Sequence, residues 1–90
     1  MYEIHITSRA KKYFRKIARE SQTAISEDIL SLEKGFIVDG DRGKKIKSVK
    51  GFLRLRSGSY RIIFYVRNKW LYIVNIVHRK DWEETLKNLL

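Results

Sequence analysis

An α+β fold is predicted: a small antiparallel β-sheet with an N-terminal α-helical hairpin on one face and a short C-terminal helix, in the order β-α-α-β-β-β-α. Three observations predict it. Residues 2–6 and 53–66 alternate apolar and polar side chains, the period of half-buried strands. Residues 10–18 and 24–32 repeat apolar side chains every three or four positions, the period of helices. The chain has 90 residues of which 43% are hydrophobic, enough for one domain with one small core, so residues 1–90 are read as a single domain.

In chain order, Tyr2, Ile4 and Ile6 alternate with Glu3 and His5 to make the first strand, with His5 on its solvated side. Thr7 or Ser8 can cap a helix, the hydroxyl accepting an orphan amide. Ala10, Tyr13, Phe14, Ile17 and Ala18 then form one apolar stripe, read as core. Ser21-Gln22-Thr23 is expected to break the pattern. Ala24, Ile25, Ile29 and Leu32 mark a second helix that Gly35 ends. Glu27, Asp28 and Glu33 have neither base nor metal ligand beside them in the pattern and are read as solvated. Asp39-Gly40-Asp41-Arg42-Gly43 is a turn; Asp39 and Asp41 lack the further oxygen ligands of a calcium loop. The Lys44–Lys50 stretch is too cationic for a core strand.

Leu53 to Arg56 and Tyr60 to Val66 are two strands joined by a tight Ser57-Gly58-Ser59 turn. Leu53, Leu55, Tyr60, Ile62, Phe64 and Val66 fall on an apolar side; Arg54, Arg56, Arg61, Ile63 and Tyr65 fall on the other. Trp70–Val77, apolar on both faces, reads as a central or well-covered strand. Asp81 can cap a closing helix with Glu84 completing the box. Trp82, Leu86, Leu89 and Leu90 give that helix an apolar side, to lie along a sheet edge or on the cationic face.

The charge is +10, from 20 Lys+Arg against 10 Asp+Glu. Its placement is more telling. Arg42 to Lys80 holds twelve Lys or Arg and no Asp or Glu. A field of one sign over a whole sheet repels itself, which a polyanionic partner would relieve. There is no cysteine, which removes disulfides and thiolate metal sites; no metal or cofactor is expected. No apolar run approaches the ~20 residues of a membrane span, and Met1–Ile6 is too short and mixed for a signal peptide. The chain is read as cytoplasmic with no membrane partner.

The order Lys-Ile-Lys, Phe52-Leu-Arg-Leu-Arg-Ser-Gly-Ser-Tyr-Arg-Ile-Ile-Phe64 and a hydrophobic strand ending Val77-His-Arg-Lys-Asp81 resembles the RelE/ParE superfamily of toxin–antitoxin toxins over nearly the whole chain. The resemblance implies a type II toxin neutralised by a cognate acidic antitoxin. In its RelE-like branch it implies a metal-independent endoribonuclease that cuts messenger RNA on the ribosome. In the ParE-like branch it implies a DNA gyrase inhibitor without nuclease activity. A third alternative is a catalytically inactive basic binding module. Carried over by position, Arg54 is the basic residue of the first hairpin strand, Arg61 the arginine of the second, and Arg79 the arginine after the last strand, with His78 beside it. The family's tyrosine near the C-terminal helix has no match, since no tyrosine follows Tyr72.

Cleavage by the 2′-hydroxyl needs a proton acceptor, a proton donor and stabilisation of the phosphorane. Arginine forks suit phosphate oxygens but do not give up a proton, so Arg54 and Arg61 are read as charge stabilisers. His78 is the expected proton shuttle. Tyr65 and Trp82 are the expected base-stacking groups. Lys44, Lys45, Lys47, Lys50 and Arg56 are expected to grip RNA backbone.

Overall fold

The computed structural model describes residues 2–35 and 43–89, without the side chain of Leu89. The expected turn through Asp39, Asp41 and Arg42, and the expected packing of Leu89 and Leu90, lie outside the described residues. The elements are β1 (Glu3–Ile6), α1 (Ser8–Arg15), α2 (Arg19–Glu33), β2 (Lys44–Lys45), β3 (Leu53–Ser57), β4 (Tyr60–Arg67), β5 (Trp70–His78), a 3-10 turn (Arg79–Asp81) and α3 (Trp82–Leu89). The strands form one five-stranded sheet in the order β1-β5-β4-β3-β2.

Three details differ from the expectation. The sheet is mixed, not antiparallel, because β1 runs parallel to β5, with Ile4 opposite Leu71. The chain turns into α1 straight after β1, so no hairpin partner follows, and β1 bonds the edge of β5 that β4 leaves free. The Glu3 N–H donates to Lys69 O at 2.8 Å and the Thr7 N–H to Ile73 O at 3.0 Å. Secondly, the cationic stretch does form a strand, two residues long, with Lys44 opposite Arg54 and Lys45 opposite Leu53. It sits at a sheet edge, where lysines are tolerated and deter edge-to-edge pairing.

Thirdly, the break between the helices falls at 16–18, and Ser21-Gln22-Thr23 lie inside α2. Ala18 precedes α2 with no side-chain cap, so the sequence carries no cap signal there. Instead the Gln22 Nε2 donates to Phe14 O at 2.7 Å, a second bond to a carbonyl at the end of α1 that also accepts from the Ile17 N–H at 3.1 Å. At the other end of α1, Thr7 is the cap, its Oγ1 accepting from the Ala10 N–H at 3.3 Å.

Helices α1 and α2 cover one face of the sheet. Between them and it lie Ala10, Ile25, Leu32, Ile62, Phe64, Leu71 and Ile73, all fully buried. A smaller cluster lies on the opposite face, where Ile46, Val49, Ile63 and Val77 meet Trp82 and Leu86 of α3. The closing helix therefore packs on the cationic face, one of its two expected positions. Among the described residues, no helix is long and apolar enough to cross a membrane.

The alternation of β5 is interrupted once. Ile63 is opposite Asn75, but Phe64 is opposite Ile73, so Val74 is an extra residue and a β-bulge. Two side chains hold it. Asn75 is buried, and its Oδ1 accepts from the Ile76 N–H at 2.9 Å. The Thr7 hydroxyl donates to Val74 O at 3.2 Å. Both groups satisfy backbone that the ladder gives up at the bulge. Beyond it the phase is reversed: Ile76 joins the helix-side core and Val77 the opposite cluster.

Candidate functional site

The site is built on the β3–β4 hairpin. Ser57 pairs with Tyr60 around Gly58 and Ser59, and Gly58 has φ 60°, a left-handed value that a two-residue hairpin turn demands and glycine supplies without strain. This tight turn fixes the register. Arg56 stands directly opposite Arg61, and Arg54 opposite Ile63. The three arginines therefore share one face, as their alternation predicts. Like charges placed opposite one another in a sheet are unfavourable, so the arrangement itself requires an explanation.

Arg79 is brought to the same place by the backbone. Its N–H donates to Ser59 O at 2.8 Å, tying the end of β5 to the hairpin tip. The Arg61 guanidinium lies over the Trp82 ring, 5.1 Å from its centroid, a cation–π contact that fixes its orientation. The Arg61 Nε is shut off from solvent and has no hydrogen-bond partner among the described residues. Burial pulls the Arg61 pKa below its usual value, and Arg54, Arg56 and Arg79 lower it further. Among the described residues, every neighbouring charge that shifts it is positive. A partly desolvated cation among three others is a site short of negative charge. The planar forks suit oxyanions taken two oxygens at a time.

The remaining expected residues are distributed as follows. Lys44 stands opposite Arg54, and Lys44, Lys45, Lys47 and Lys50 are all exposed. Trp82 presents its ring to Arg61 and to the second cluster, which leaves it a support for the arginine more than a surface for a base. Tyr65 shares the face but stands four residues along β4 from Arg61, about 13 Å at the rise of a strand.

His78 is not on this face. It pairs with Tyr60, which packs on the helix-side core, and its ring meets the Tyr60 ring edge-on at 5.2 Å. The bulge is the cause: uninterrupted alternation from Tyr72 would have turned His78 toward the arginines. Its Nδ1 accepts from the Lys80 N–H at 3.2 Å and so caps the 3-10 turn. With Tyr13, Lys16 and Glu84 it lines a separate cavity of about 330 Å³. The proton shuttle expected beside the arginines is thus held on the other side of the sheet.

One feature of this face went unread in the sequence: a row of rings. Phe52, Tyr65, Tyr72 and His5 follow one another across the sheet, with Trp70 stacked on Tyr72. The alternation of each strand was visible, but the row exists only through the registers between strands: β3 against β4 and β4 against β5 set Phe52, Tyr65 and Tyr72 side by side, and β1 against β5 adds His5 from nearly seventy positions away. Among the described residues no three potential His, Asp or Glu ligands come together.

No family model matches the sequence, and no curated protein resembles it closely enough to match. Solved structures do match. The toxin–antitoxin complex RelBE2 from Mycobacterium tuberculosis contains a chain that superposes with a TM-score of 0.73 at 20% identity, over 87% of this chain and 98% of that one. The isolated RelE toxin of E. coli matches over 100% of both chains with a TM-score of 0.70 and 16% identity. The YoeB dimer from Staphylococcus aureus matches with a TM-score of 0.64 and 21% identity, over 82% of this chain and 92% of that one. The mixed five-stranded sheet, the helix pair on one face and the closing helix on the other are the fold of the RelE toxins.

Proposed function

We propose that this chain is the toxin of a type II toxin–antitoxin system and acts as a metal-independent, ribosome-dependent messenger RNA endoribonuclease. The observation that carries the reading is the cluster of Arg54, Arg56, Arg61 and Arg79, in which Arg61 is partly desolvated and, among the described residues, shifted by burial and by other cations alone. Likeness of fold to RelE and YoeB toxins, solved in complex with RelB and YefM antitoxins, supports the partner as well as the class.

In the proposed reaction the 2′-oxygen bonds to the adjacent phosphorus while the bond from phosphorus to the 5′-oxygen breaks. The 2′-hydroxyl loses its proton, and the departing 5′-oxygen gains one. A 2′,3′-cyclic phosphate and a 5′-hydroxyl result. Arg61, held by Trp82, and Arg54 stabilise the extra negative charge of the phosphorane, which is strongest in the transition state. Arg56, Arg79 and Lys44 hold the flanking backbone. Arginine does not accept the 2′-hydroxyl proton, and His78 faces away, so that proton passes to solvent or to a group that the ribosome supplies. Dependence on the ribosome is the natural consequence of a site rich in charge stabilisation and poor in proton acceptors.

The antitoxin is read as an acidic segment with an apolar stripe. On the helix layer Phe14, Ile29 and Leu30 line a groove rimmed by Lys11 and Arg15, and Leu30 is 60% exposed. That surface suits an amphipathic acidic helix.

The reading is tested by mapping cuts in a translated message with purified toxin. New breaks within the A-site codon are expected, and Arg61→Ala should slow them by about 10²–10³-fold, the usual effect of removing one transition-state charge donor, while antitoxin binding persists. Unchanged cutting by that variant refutes the site. A second reading, a ParE-like gyrase inhibitor, is favoured by one observation: His78, the histidine expected beside the arginines, lies on the other side of the sheet. Intact message together with inhibited DNA supercoiling would select it.

A further inference from the structure

We propose that the ring row on the arginine face is a second subsite that stacks the bases of single-stranded RNA. The proposal rests on the RNA reading above and adds to it where the strand runs beyond the arginines and what holds it there.

Across the sheet, Phe52 meets Tyr65 edge-on at 5.5 Å and 74°. Tyr65 stacks on Tyr72 at 4.8 Å and 17°, and Tyr72 meets His5 edge-on at 5.5 Å and 66°. Trp70 stacks on Tyr72 from the next row, at 6.2 Å and 27°. The second hydrophobic cluster stops short of these rings: of the five, Phe52 alone packs against it. Tyr65 and Tyr72 are half-buried, His5 is exposed, and Trp70 is 44% exposed. An indole left this open at the end of a stack gives up much of the stabilisation its burial would bring. A flat π-surface that covers it restores that.

Charge and position identify the covering group. Arg67 stands opposite Trp70 in the ladder, and Lys69 adjoins it in the turn; both are exposed. Glu3, opposite Trp70 on β1, is the carboxylate nearest in register. Flat rings beside cations match nucleobases beside phosphates. The row also continues the arginine site: Tyr65 is two residues along the strand from the Arg54 position and four from Arg61, steps of about 7 Å and 13 Å. A single strand can therefore run along the face with phosphates on the arginines and bases on the rings. Stacking of this kind accepts any base, since each has a π-face, so the subsite adds grip without codon preference.

The test uses the full chain and two labelled probes of equal phosphate number, a 2′-O-methyl RNA hexamer, which has no 2′-hydroxyl to react, and its abasic counterpart. Binding is followed by fluorescence anisotropy at fixed salt. Trp70→Ala should weaken the base-bearing probe about tenfold, within the span known for one stacked base, and leave the abasic probe unchanged. Trp70→Phe, which keeps a ring, should recover most of the loss. Equal loss for both probes, or no loss for either, overturns the proposal. So does an acidic peptide that binds in a Trp70-dependent way when the RNA probe does not, which would make the row a protein-docking surface. Message cleavage is scored separately: Trp70-dependent, base-dependent binding without cutting leaves the platform standing and removes the nuclease.

Discussion

The two faces of this sheet come from the same strands and behave as opposites. On the helix side, Ile62, Phe64, Leu71 and Ile73 are wholly removed from water beneath α1 and α2. On the other side, the intervening residues of β3 and β4 bring Arg54, Arg56 and Arg61 together, with a small cluster under α3 and the row of rings as apolar support. The first face lowers the free energy of the fold. The second raises it, by crowding cations and desolvating one of them. A sheet with period two lets one set of backbone hydrogen bonds carry both. The lesson is that the strain on the cationic face is tolerated because the apolar face holds the same strands in register.

That contrast can be broken from either side. The largest effect is expected from Phe64→Ala, which empties the centre of the helix-side core. It should cost about 3–5 kcal/mol, a large part of the whole stability of a small domain, and urea unfolding would show it as a lower midpoint. Asn75→Leu comes next. It leaves the Ile76 N–H buried without its acceptor, for about 1–3 kcal/mol. Thr7→Val removes the cap of α1 and the donor to Val74 together, with a loss of about 1–2 kcal/mol by the same assay.

The smallest effects belong to the cationic face. Raising the salt concentration should increase the melting temperature of the free protein by a few degrees, because screening weakens repulsion among exposed charges on the scale of the ~10 Å Debye length. A lower melting temperature at high salt would mean that attraction, not repulsion, dominates there. His78→Ala should leave cleavage within about threefold of the parent, since the ring faces the helices. A loss of a hundredfold would return His78 to the chemistry.

The pH dependence has a definite sign. The Arg61 pKa is lowered in the folded protein, so the unfolded chain holds this proton more tightly. The penalty is complete at every pH below the folded value. It is relieved only as the pH rises through that value toward the ordinary arginine range. Arg61 therefore contributes no pH dependence of stability near neutrality, and its unfavourable term is removed there by substitution alone.

Much of this was readable in the residues. The alternation through Leu53–Val66 assigns each side chain to its face because one side is strictly apolar around a glycine turn. The stripe of Ile25, Ile29 and Leu32 marks α2 for the same reason. What was not readable shares a physical cause: it depends on contacts distant in sequence. Leu71 to Val77 is apolar on both faces, so the period has no phase to lose, and the bulge at Val74 leaves no trace in the pattern. Asn75 and Thr7 specify it, yet Thr7 looks like an ordinary cap. The position of His78 follows from that bulge, and the ring row follows from the registers of β3, β4 and β5, with His5 added by the parallel pairing of β1. Ser21-Gln22-Thr23 looked like a break by composition; Gln22 instead joins the two helices across the real one.

Arg61→Met decides between a site that serves the fold and one that serves a phosphodiester. Its melting temperature and its cutting of a translated message should be measured on the same preparation. The arginine cluster predicts a protein at least as stable as the parent, because a partly buried cation with no carboxylate partner among the described residues is gone, with cleavage reduced a hundredfold or more. A variant that melts several degrees lower and still cuts at the parental rate would contradict it.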